Sequence, residues 1–458
     1  MREIQEPLQE NKMGVMPVNR LLISMALPMM ISMLVQALYN IVDSIFVGMI
    51  SENALTAVSL AFPVQMLLIA MGTGTGVGIN AALSKSLGEK DQVTANKAAT
   101  NGIFLAAASA ALFFIIGVFF SRTFFLSQTD DIEIVGYGTQ YLSICCIFSV
   151  GVYTQLVFER LLQATGRTVP AMVVQIVGAV INLIFDPILI FGLLGFPRME
   201  VAGAAAATVL GQIIAGAVAI VINLKYNREI QISFKGFRPD AHMIWRIYKV
   251  GLPSIIMQAV GSVMNYFMNI ILLGFTSTAA AVFGAYYKLQ SFFFMPLFGL
   301  NNGMVPIIAY NYGAGKRSRV IRVIKLSIFY AMCLMFLGLC AFHAVPGKLL
   351  LLFNASENML AIGEKALRII SISYLFAGFC IVSGTVFQAL GNGVYSLLVS
   401  VARQLIVLLP AAYLLSLTGK LDLIWWSFPI AEVMSLTVSA LLLFRIYKKI
   451  IVHIPDEV

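Results

Sequence analysis

Apolar runs of roughly 20 residues, the length needed to cross a ~30 Å hydrocarbon core, recur along the whole chain. That feature fixes the solvent in which the chain must fold. Of 458 residues, 60% are hydrophobic and 11% charged, with mean hydropathy +0.91; soluble domains carry about 25% charged residues. The runs fall near 20–49, 54–83, 97–121, 134–158, 168–192, 201–223, 246–274, 279–308, 324–345, 359–386, 394–417 and 423–446. Helices satisfy their own backbone groups in lipid, so these runs predict an all-α polytopic membrane protein of twelve transmembrane helices, called spans 1 to 12. The stretch 1–19 is polar and the first apolar run is too long for a secretory signal.

Lysine and arginine placement predicts the orientation. With the N-terminus inside, cytoplasmic segments hold 22 of the 30 basic residues. The opposite loops hold six: Arg122, Arg198, Lys348, Lys365, Arg368 and Lys420. Both termini are therefore expected in the cytoplasm of a multi-pass plasma-membrane protein. The +9 net charge then reflects this bias toward anionic lipid, with no soluble basic domain to suggest nucleic acid.

The longest polar connection, 223–246, divides the chain nearly in half, and the halves repeat. At a constant offset of 225 positions Ala26-Leu27-Pro28 meets Gly251-Leu252-Pro253, and Asn40 meets Asn265. Gly74, Gly78 and Gly88 meet Gly299, Gly303 and Gly313, while Gln163-Ala164 and Gly166 meet Gln388-Ala389 and Gly391. Six spans per half is an even number, so the repeat is parallel, with a pseudo-two-fold axis along the membrane normal. The expected organisation is a cytoplasmic segment 1–19, an N-lobe 20–223, a linker 224–245, a C-lobe 246–446 and a cytoplasmic tail 447–458. Two such lobes suit alternating access by rocking of one bundle against the other.

The repeat also picks out unusual residues. Asp43, Asn182 and Asp186 correspond to Met268, Val407 and Ala411, so the second half keeps the frame and lacks the polar groups. Asn182 and Asp186 stand at i and i+4 on one face of span 5. On span 1, Gln36, Tyr39, Asn40 and Asp43 form a polar stripe on a helix that contains Pro28. Thr208 adds a hydroxyl to span 6 among small residues that permit close packing. A carboxylate at mid-membrane costs about 2.5–3.5 kcal/mol on insertion scales, so two must face each other, share a proton or hold a cation. The bland alternatives are that Asp186-Pro187 marks a kink with a local cap, and that Asp43 reaches an interface.

These stretches carry a resemblance. ALP, Asp43 in DSIFVG, QATGRT, Asn182, Asp186-Pro187 and GAAAAT in the first half, with GLP, NYGAGK and QALGNG in the second, resemble the multidrug and toxic compound extrusion (MATE) transporters over essentially the whole chain, in their DinF-like or MepA-like branch. The resemblance implies a cation-coupling site of Asp43, Asn182, Asp186 and Thr208 with Tyr141 nearby, taking H+ or Na+. Spans 7 and 10 lack the acids of the NorM-like branch. It implies a secondary antiporter for amphipathic, often cationic compounds, acting as a monomer and not as an enzyme, with no cofactor.

Gln36, Tyr39, Asn40, Lys288, Arg403 and Glu432 are candidates for the substrate cavity. Lys288, Arg403 and Glu432 have Pro63, Gly178 and Ala207 as repeat counterparts. Glu432 is either a counter-charge for substrate or a partner of Arg403 or Lys288 that ties helices together. The glycine run at 72–78 is no dinucleotide loop, and the five cysteines, all within spans, suggest neither disulfides nor zinc. A flippase for lipid-linked oligosaccharides, which would call for a more basic cavity, and an intramembrane enzyme are the alternative functions.

Overall fold

The computed structural model describes residues 11–353 and 355–455. Among them there are helices and no strands. Ten helices are long and apolar enough to cross a membrane on their own: Val18–Gly48, Glu52–Gly88, Gln92–Phe119, Thr168–Phe191, Val201–Tyr226, Ala241–Leu273, Ser277–Gly313, Arg317–Ala344, Gly393–Ser416 and Leu421–His453. Two further spans are bent pairs, Ile132–Ile147 with Val150–Ala164 at 45°, and Glu357–Ser371 with Tyr374–Ala389 at 51°. They are spans 4 and 10, and their breaks fall at repeat-related positions. The multi-pass architecture is as expected, but span 4 runs to Ala164 rather than stopping near 158.

The two halves have separate apolar cores that exchange the starts of two helices. Leu21, Leu22, Met25 and Ala26 of span 1 belong to the core of the second half, whereas Met29 and Val47 belong to that of the first. Span 7 does the converse, with Met243 and Ile247 in the first core and Met264 and Met268 in the second. The change of core falls near Pro28 in one helix and near Pro253 in the other. Proline removes an i→i−4 bond, and the carbonyl of Ser24 freed by Pro28 accepts from Thr168 Oγ1 at 3.5 Å.

The halves approach each other reciprocally on the side that carries both described ends. A Cβ on Gly88 would lie 2.0 Å from the Tyr310 carbonyl oxygen, and one on Gly313 would lie 2.1 Å from that of Lys85. Since 85 and 88 become 310 and 313 under the offset, this is one contact made twice. Only glycine lets the backbones come so close. Further along the same faces the halves part. Gly74 meets Ile255 and Gly299 meets Met30, but Leu67, Pro63 and Ser59 on span 2 and Phe292, Lys288 and Gly284 on span 8 are exposed. The result is a cleft closed toward the termini and open on the opposite side.

Candidate functional site

Four helices of the first half converge on the acids. The face of span 5 that carries Asn182 and Asp186 is buried, with Asp186 at 0% exposure and Asn182 at 3%. Its neighbour is span 6, whose Gly203 and Gly211 allow close approach to Leu189 and Gly178. Asn182 links the two helices. With its amide oxygen turned toward span 6, it accepts from Thr208 Oγ1 at 3.1 Å and from the Thr208 backbone N–H at 3.2 Å, and its nitrogen donates to Asp186 Oδ2 at 3.2 Å. That orientation satisfies every group.

From span 1, the half-buried carboxyl of Asp43 comes within hydrogen-bonding reach of the Asp186 carboxyl. Asp43 Oδ1 is enclosed and has no hydrogen-bond partner. Tyr39 stands one turn earlier on the same helix, close to both acids. The structure therefore puts Tyr39, read from the sequence as a cavity residue, beside the acid pair. Tyr141 of span 4 is 3% exposed and accepts from Gln65 Nε2 of span 2 at 3.0 Å. No lysine or arginine pairs with Asp43 or Asp186 among the described residues.

The remaining candidates separate. Lys288 lies on the exposed cleft face of span 8, its ammonium 6.0 Å from the centre of the Phe353 ring. Gln36 is half-buried and Asn40 exposed on span 1. Arg403 and Glu432 are joined, Nη1 to Oε2 at 3.3 Å, with Glu432 5% exposed. This is the helix-tying arrangement. Arg403 sits in a π-helical stretch, Ala402–Leu408, a widening of span 11 of a kind frequent at functional sites. Among the described residues no group of three or more His, Cys, Asp or Glu is arranged to hold a metal ion.

The sequence reading missed two groups. Gln65 has Gln290 as its repeat counterpart, so a search for polar residues in one half only passes over it. Glu159 and Arg160 were placed in a connection, yet both lie inside the longer span 4, at 7% and 8% exposure. Their signal was the 3.6-residue spacing of Gln155, Glu159 and Gln163, which continues the helix past 158.

The chain matches the MatE family twice, over residues 28–188 and 253–414, in agreement with the internal repeat. It is 27% identical to the multidrug export protein MepA of Staphylococcus haemolyticus strain JCSC1435 over 428 residues, 92% of each chain. To MepA of Staphylococcus aureus strain MSSA476 it is 25% identical over 445 residues, 96% of each. Its fold matches a solved structure described as the outward-facing conformation of a multidrug resistance MATE family transporter of the MOP superfamily, with TM-score 0.90 and 23% identity over 97% of this chain and 100% of that one.

Proposed function

This chain belongs to the MatE family, and on that footing we propose that it exports amphipathic, often cationic small molecules in exchange for protons. The side carrying the termini is the cytoplasmic one, by the distribution of lysine and arginine. The observation that carries the reading is the acid pair: Asp43 and Asp186 together, enclosed by Asn182, Thr208 and Tyr39, without a cationic partner among the described residues and next to a cleft open to the outside.

Two carboxylates in contact cannot both ionise cheaply in a low dielectric, so the pair holds a proton in common. Loss of that proton, with the halves open toward the cytoplasm, adds a negative charge to the pair, which attracts a cationic drug from that side. Its return from outside, through the cleft, removes that added charge and lets span 1 close on the rest of the first half, hinged near Pro28, where the helix passes from one core to the other. The drug is thereby expelled. Each pH unit across the membrane supplies about 1.4 kcal/mol per proton moved.

Sodium is the second reading, favoured because oxygens of Asp43, Asp186, Asn182 and Thr208 converge. Proteoliposomes with an imposed pH gradient and no sodium distinguish the two. The proton reading expects ethidium transport that follows the gradient; transport only in the presence of sodium, at every pH, would reject it.

A further inference from the structure

Below the acid pair, on the side of the termini, a second buried acid has no place in the cycle just described. Glu159, on the second segment of span 4, is 7% exposed and forms no salt bridge among the described residues. Its Oε1 accepts from Gln155 Nε2 at 2.9 Å, and the same nitrogen lies 3.3 Å from Gln175 Oε1 on span 5. Among the described residues, its one charged neighbour is Arg160, on its own helix. Spans 2, 3, 5, 6 and 8, packed against this segment, add no charge to it among the described residues. The Arg160 guanidinium itself donates elsewhere, to Gln163 Oε1 at 2.8 Å and Asn302 Oδ1 at 3.0 Å. A carboxylate left in a membrane interior with one amide donor is a costly feature and a functional candidate.

Its position gives it a use. Gln175, Gly178, Asn182 and Asp186 recur at 3, 4 and 4 residues, so they lie along one face of span 5. Gln155 abuts this face: a Cβ on Gly178 would be 3.6 Å from its Nε2. Between Gln175 and Asn182, about 10 Å apart along the axis, the seam with span 6 carries no bulky side chain. There Gly178 and Gly211 meet backbone to backbone, a Cβ on Gly211 falling 2.7 Å from the Gly178 carbonyl oxygen and 3.4 Å from Asn182 Cβ. Glu159 stands one turn beyond Gln155, toward the termini. Polar groups thus descend from the acid pair through Asn182, past the closely packed backbones of Gly178 and Gly211, and through the Gln155–Gln175 pair to Glu159.

We propose that Glu159 is the inward proton acceptor of the first half, the group that takes the proton leaving Asp43 and Asp186 toward the cytoplasm. The proton on the Asp186 carboxyl passes along this seam, through water admitted as spans 4, 5 and 6 loosen against one another, to the Glu159 carboxylate. That returns Asp186 to its charged form and makes Glu159 neutral; Glu159 then yields the proton to cytoplasmic water. The transfer itself only moves one negative charge from Glu159 to Asp186, and Arg160 stabilises the Glu159 carboxylate once its proton has left. Outward and inward protons then use different doors, which prevents a futile leak when the cleft is open.

The inference rests on proton coupling as proposed above, and its test separates the two. Wild type, Glu159→Gln, Glu159→Asp and Gln155→Leu are reconstituted, and pH-gradient-driven ethidium transport is measured with a trapped pH dye, while ethidium Kd is measured in detergent. We expect Glu159→Gln to slow coupled transport and proton release by about a hundredfold, the lower end of what a positioned proton acceptor supplies. Its Kd should stay within about twofold of wild type, an effect under 0.5 kcal/mol. Glu159→Asp should restore most of the rate, and Gln155→Leu should slow it without altering any charge. Wild-type turnover in Glu159→Gln would overturn the inference, as would equal loss of binding and turnover. If Glu159→Gln fails to fold, Gln155→Leu decides, and wild-type turnover there overturns it. A wild type that ignores the pH gradient would instead reject the proton reading itself.

Discussion

At the scale of single residues, Asp186 is the most demanding group in the molecule, with no exposure and another acid as its neighbour. Replacing Asp43 or Asp186 by Asn removes a charge from the membrane, which lowers the insertion cost by about 2.5–3.5 kcal/mol at mid-depth. Expression should hold while coupled efflux disappears; an Asp186→Asn transporter with wild-type efflux would make that acid structural. Glu432 behaves differently. Glu432→Gln leaves the Arg403 guanidinium without its carboxylate, and breaking a buried pair costs about 3–5 kcal/mol. Thermal unfolding in detergent should show the loss, and Arg403→Met with Glu432→Met should recover much of it. A stable Glu432→Gln protein with an altered substrate range would return Glu432 to the cavity. Much of this was legible in the sequence: i, i+4 spacing joined Asn182 to Asp186, and the repeat marked them as peculiar to one half. The partner of Tyr141 was not, because Gln65 on span 2 is distant in sequence and matched in both halves.

Among the helices, the informative features are those that break regularity twice. Spans 4 and 10 bend by 45° and 51° at related positions, and spans 1 and 7 change core near Pro28 and Pro253. The prolines could be read from the sequence, but the exchange of helix starts could not. Leu21 and Leu22 are as apolar as any neighbour, and apolarity does not say which core receives a side chain. The reciprocal contact at Gly88 and Gly313 supports another prediction. Gly313→Val would push atoms into the Lys85 carbonyl, now 2.1 Å from a modest Cβ, and so destabilise the closed side that carries the termini. Spin labels on the ends of spans 3 and 9 at the side of the termini should report a longer distance population in Gly313→Val. An unchanged distribution would show that this contact does not hold the halves shut.

For the whole molecule, the count of spans and the parallel repeat followed from apolar run length and one constant offset, since lipid leaves helices few other arrangements. The cleft did not follow. It depends on how the two halves pack against each other, which the repeat does not specify. Orientation is open to direct test: reporter fusions at Pro239 and after residue 455 should both score cytoplasmic, and an external signal at either would invert the assignment of sides and the direction of export. The central claim is that one acid pair binds the proton and answers to the drug, so binding of one must displace the other. The most direct measurement is proton release when ethidium is added to the purified transporter in weakly buffered detergent. The account predicts close to one proton released per drug bound by the wild type, and none by Asp43→Asn or Asp186→Asn. Saturable ethidium binding to the wild type with no proton released, at any pH between about 5 and 8, would contradict it.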